Sequence, residues 1–166
     1  MTQQQAAAIL EQIERILARE FRLYQHLLAL TKQERQALIV GALEDLSVAV
    51  RQKEDALEQL NTLEADRVTA LSAWSRAHGG DATLLALLND VDDETAARFS
   101  RLREGILAIA SQLRDFGLAN RALAQIALDR LEATRSYLLT LATPAPVYGP
   151  QPIPAPRLTL SVEVSA

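Results

Sequence analysis

The sequence predicts an all-α fold, an elongated antiparallel bundle of three long helices with coiled-coil packing, a short connecting helix and a flexible Pro-rich C-terminal tail. Three observations predict it. All six prolines, Pro144, Pro146, Pro150, Pro152, Pro154 and Pro156, fall in one terminal segment, so nothing in residues 1–143 must forfeit a helical hydrogen bond. Apolar residues recur there at three- and four-residue steps. The chain of 166 residues is 49% hydrophobic and 23% charged but only 4% aromatic, a balance suited to one amphipathic helical domain. The expected division is a helical domain over 1–143 and a mostly disordered tail over 144–166.

The first helix carries two apolar columns, Ile9, Ile16, Leu23, Leu30 and Leu10, Leu17, Tyr24, Thr31, Leu38, a face broad enough for two neighbours. Thr31 to Glu34 has capping-box spacing, yet the apolar pattern runs through it, which places Thr31 in the helix interior. Gly41 supplies the turn to the second helix. That helix shows a heptad seam of Leu43, Leu46, Val50, Lys53, Leu57, Leu60, Glu64, Arg67, Leu71 and Trp74. Gly79-Gly80 ends it, and Asp81 is placed to cap a short helix reaching Asn89. Asn89 or Asp90 can then start the last helix. Its seam runs Phe99, Leu102, Ile106, Ile109, Leu113, Phe116, Asn120, Leu123, Ala127, Arg130, Thr134, Tyr137 and Leu141.

Length adds a functional hint. At 1.5 Å per residue the first two helices each span roughly 50 Å, whereas residues 92–142 span about 75 Å. One end of the last helix should overhang with an apolar seam that only a bend or another chain can cover. The tail over 144–156 should be extended, and Leu158, Leu160, Val162 and Val164 alternate with polar residues as a strand would. Such a strand could add to another protein's sheet edge or simply fray.

Composition excludes several classes of activity. The formal net charge is −4, the sequence pI is about 5.2, and no basic run offers the positive field that nucleic acid requires. The chain has no Cys, hence no disulfide, thiolate metal site or thiol nucleophile, and a reducing compartment, by default the cytoplasm, fits. Met1 to Gln5 lacks a basic n-region, and no apolar stretch approaches bilayer length, so neither secretion nor membrane insertion is expected. His26 and His78 lie in no HExxH or ExxH pair, and the glycines form neither a P-loop nor a GxGxxG turn. The expectation is no enzyme, no cofactor and no metal. Phe21, Tyr24, Trp74, Phe99, Phe116 and Tyr137 at helical spacing read as core. Lys53, Glu64, Arg67 and Asn120 interrupt the seams, either to fix register or to meet a partner.

Two segments carry a resemblance. Leu46 to Arg67, a leucine-periodic stretch ending in Arg, and Asn120-Arg121-Ala122-Leu123-Ala124-Gln125-Ile126-Ala127-Leu128, followed by Tyr148-Gly149, are similar in order and spacing to the FlgN family of flagellar export chaperones. The chain departs from that family's pattern at Gly117 and Pro152. The resemblance spans most of the chain and implies a cytoplasmic helical protein that holds the C-terminal helices of the hook-associated proteins FlgK and FlgL before type III export. It further implies that Tyr148 and Gly149 dock the complex on the export gate's cytoplasmic domain. A cargo groove of Leu113, Phe116, Asn120, Leu123, Ile126, Ala127 and Leu131 follows as the expectation, since an unfilled heptad groove can shelter a foreign amphipathic helix. The alternative is a homo-oligomeric coiled-coil scaffold or adaptor in which the same seams serve self-association, and a homo-oligomer could also form when cargo is absent.

Overall fold

The computed structural model describes residues 3–142, and the Pro-rich tail, with Tyr148, Gly149 and the alternating segment 158–164, lies outside them. The described residues are all-α: α1 (Gln3–Val40), α2 (Leu43–His78), α3 (Leu84–Asp90) and α4 (Asp93–Ala142), with no strand among them. The chain divides into two compact units, Met1–Asp129 and Arg130–Ala166.

Thr31 is interior to α1, where its hydroxyl donates to the Leu27 carbonyl at 2.8 Å and so stays compatible with the helix. Gly41 makes the turn at φ +74°, a left-handed conformation that favours glycine. The ends of the later helices differ from the sequence expectation. Thr83, not Asp81, caps α3, its hydroxyl accepting from the Ala86 N–H at 3.1 Å. Asp92, not Asn89 or Asp90, caps α4, accepting from the Thr95 N–H at 3.0 Å. In both cases the capping side chain sits three residues before the N–H it satisfies.

The core gathers Ile13, Ile16, Leu17, Leu63, Ala70, Leu71, Trp74, Leu87 and Phe99. Each large aliphatic or aromatic member contributes roughly 1.5–3 kcal/mol on burial. Leu87 brings α3 onto this cluster, with Leu84 and Leu88 beside it. Leu71 and Trp74 of the expected α2 seam are buried, but one buried column departs from the expected seams and another adds to them. In α2 the buried line is Ala49, Ala56, Leu63 and Ala70, while Leu43 and Leu57 of the expected seam are exposed. In α1 the column Ile13, Glu20, Leu27 is buried alongside the two expected ones. Small alanines let helices approach closely, which a pattern weighted toward leucine and valine overlooks. Tyr137, expected in the core with the other aromatics, is 62% exposed.

Helix directions follow from cross-links. Glu20 pairs with Arg67 and Glu34 with Lys53, so α1 and α2 run in opposite senses. Glu14 pairs with Arg98, while Thr31 and Glu34 accept from Asn120, so α4 runs in the sense of α1. Between them Gly105 is pressed against α1: a Cβ there would lie 2.7 Å from Phe21 Cε2.

A polar seam and a candidate partner-binding surface

The polar residues that interrupt the heptads form two layers. In the first, Arg67 Nε donates to Glu20 Oε1 at 3.0 Å, and its Nη2 lies 3.6 Å from Glu64 Oε1. Glu20 is only 4% exposed, so its charge depends on Arg67 for compensation. The Tyr24 hydroxyl, beside this pair, is pushed above its ordinary pKa, chiefly by burial and further by the Glu20 and Glu64 carboxylates, with Arg67 opposing. It is therefore a neutral hydroxyl at pH 7.

In the second layer Glu34 Oε2 accepts from Lys53 Nζ and from Asn120 Nδ2, each at 2.8 Å, joining α1, α2 and α4 through one oxygen. Asn120 Nδ2 also donates to the Thr31 carbonyl at 2.8 Å. Both acceptors fix the orientation of the amide, since only its nitrogen can donate. Asn120 is 4% exposed, and its Oδ1 is buried with no hydrogen-bond partner among the described residues. Lys32 Nζ stands 5.5 Å from the Phe116 ring centroid, adding a cation–π contact between α1 and α4. The two layers lie two heptads apart on each of α1 and α2, so a shifted register would break both together.

The expected cargo residues occupy different environments. Asn120 is buried; Leu113, Phe116 and Leu123 are half-buried; Ile126, Ala127 and Leu131 are exposed. Ile126, six residues past Asn120, is turned about 120° from it. In the second unit Leu131, Leu138 and Leu141 follow one another at a seven-residue and a three-residue step, with exposures of 67%, 57% and 65%. Leu38, Leu46 and Val50 belong to the seams read from the sequence, whereas Glu20 and Glu34 are not singled out there. The signal for the carboxylates was present: Glu20 and Glu34 are spaced as Arg67 and Lys53 are, with opposite charge and opposite chain order.

His26 is exposed, and the His78 ring stacks on Trp74 with centroids 3.8 Å apart. No group of three or more His, Cys, Asp or Glu side chains among the described residues could hold a metal ion. No helix of the described residues is long and apolar enough to cross a membrane.

A family model described as FlgN protein matches residues 1–151. A relative from Bacillus subtilis (strain 168), described as "Uncharacterized protein YvyG", is 24% identical over 134 residues, which cover 81% of each chain. No solved structure matches the chain.

Proposed function

This chain belongs to the FlgN family, and from that premise we propose that it is a cytoplasmic flagellar type III export chaperone that shelters the C-terminal helices of the hook-associated proteins FlgK and FlgL. The family is one of chaperones rather than enzymes. The observation that carries the reading is the exposed apolar series Leu131, Leu138 and Leu141, a helical face with the spacing that another amphipathic helix can fill. α1, α2 and α4 then act as an antiparallel coiled-coil bundle that holds Leu113, Phe116, Asn120 and Leu123 in place, with Ile126, Ala127 and Leu131 reaching the cargo. Capture stabilises the bound form by mass action and requires no nucleotide. It prevents the cargo helix from assembling before export.

Tyr148 and Gly149, on the Pro-rich tether, serve as the contact to the export gate, so the tether raises the effective concentration of that second encounter while cargo stays bound. Replacing Tyr148 with Ala should weaken gate binding more than cargo binding, and the reverse ranking would reject this division of labour. Calorimetric titration with the C-terminal helical region of the organism's hook-associated proteins tests the main reading. Saturable binding to that region, and none to a flagellin C-terminal peptide, is expected. Absence of binding by a helical, monodisperse chain would remove the chaperone assignment. Sedimentation that showed an obligate oligomer unaffected by cargo would favour the scaffold.

A further inference from the structure

The face of α1 turned away from α4 carries a stripe of one charge. Arg15, Arg19, Arg22 and His26 fall within about 60° of arc and roughly 16 Å of helix. Glu14, Phe21 and Lys32, through which α1 meets α4, lie about 110–130° around the helix from the middle of that stripe. All four stripe residues are exposed, and none enters an ion pair among the described residues. Arg15 Nε and Arg22 Nε donate to their own helix, at the Glu11 and Ala18 carbonyls, over 3.3 and 3.2 Å. Those bonds lay both guanidinium groups along the stripe and leave their Nη atoms without a partner among the described residues. Arg19, Arg22 and His26 line a shallow groove together with Leu23 and, from α2, Gln59.

This spacing works against the helix that bears it. Arg15 and Arg19 are four residues apart, and Arg19 and Arg22 three, so neighbours repel where a Glu at position 19 would attract both. The stripe also stands out as a positive face on a chain of formal net charge −4. We propose that it docks one acidic helix of a partner protein, whose carboxylates at three- and four-residue steps meet Arg15, Arg19 and Arg22. Two helices share the same rise per residue, so the spacing on one is matched by the same spacing on the other. Charge complementarity selects the acidic face, and the groove at Leu23 and Gln59 sets its position along α1. A lipid surface fits less well: Leu23 is the one apolar side chain lining the groove and is half-buried, so little is offered for insertion among acyl chains. The stripe shares no residue with the α4 surface proposed for cargo, so both partners can be held at once, and the proposal stands independently of the chaperone reading.

Charge reversal separates docking from folding. Arg19→Glu turns two repulsive neighbours into attractive ones, so the variant should unfold at or above the temperature of the original chain. The probe is an alanine-based helical peptide of about 18 residues with Glu at three- and four-residue steps along one face. Its control has the same composition with the Glu residues distributed around the helix. In calorimetry on the full chain at low ionic strength, the striped peptide should bind saturably and about fivefold more tightly than the control. The double variant Arg19→Glu/Arg22→Glu should bind it about tenfold more weakly, and added salt should narrow that difference. The same variant should keep the affinity of the original chain for the hook-associated C-terminal region. Equal binding of the two peptides, or undiminished binding by the double variant, would overturn the proposal. Loss of cargo affinity by a folded double variant would make the stripe part of the cargo site and overturn its independence. Charge-dependent binding to phosphatidylserine vesicles, with none to the striped peptide, would assign the stripe to lipid headgroups and overturn the acidic helix. Failure of the original chain to bind cargo while it binds the striped peptide would remove the chaperone reading alone.

Discussion

Single side chains in this bundle are held by what they compensate. Glu20 is nearly enclosed and Arg67 is its cation, so Arg67→Met should leave an uncompensated carboxylate. The expected cost is about 2–3 kcal/mol in urea unfolding, below the roughly 3–5 kcal/mol of a fully buried pair because Arg67 retains contact with water. Combining it with Glu20→Gln should restore most of the loss, and a double variant as unstable as the single one would contradict the pairing. Asp92 acts at the α4 N-terminus, where the Thr95 backbone N–H bound to its carboxylate holds its pKa below the ordinary 3.8. Because the folded value is the lower one, its contribution is complete above the ordinary Asp range and is lost as pH falls through the folded value. Asp92→Asn keeps an accepting oxygen but no titrating charge. The difference in urea midpoint between the two proteins should therefore be constant near neutrality and shrink in acid; a difference independent of pH would contradict the charged cap.

At the scale of the helix, two glycines of α4 make opposite predictions for the same substitution. Gly105→Ala drives a methyl group against the Phe21 ring, and overpacking should outweigh the gain in helix propensity, for a net loss of about 1 kcal/mol. Gly117→Ala enters open space and should gain about 1 kcal/mol. Thermal unfolding of both checks the pair, and equal signs would contradict the distinction. The helices themselves were legible in the sequence because proline is confined to the tail and Gly41 and Gly79 mark the breaks. The buried face of α2 was not. Its Ala49, Ala56 and Ala70 carry little hydrophobic signal, although close helix contact is what small residues permit. The caps were displaced because Asp81, Thr83, Asn89 and Asp92 all have capping chemistry, and residue type alone does not choose among them.

For the molecule as a whole, belonging to the FlgN family gives the functional frame, and its own side chains give it chemistry. The polar seam was legible as an interruption of the heptads, but its partners were not, because Glu20 and Glu34 look like ordinary charges until α1 and α2 are paired. Asn120 bonds Thr31 and Glu34 and so ties α4 to α1, contacts that the interruption of the seam alone does not reveal. The chaperone proposal turns on the exposed apolar series near the end of α4 receiving a foreign helix. Hydrogen exchange over residues 124–141, with and without the hook-associated C-terminal region, tests it most directly. Weak protection is expected in the free chain at low concentration, and strong protection once the cargo helix is added. Protection already equal to that of the Leu63–Phe99 core, and unchanged by cargo, would contradict it.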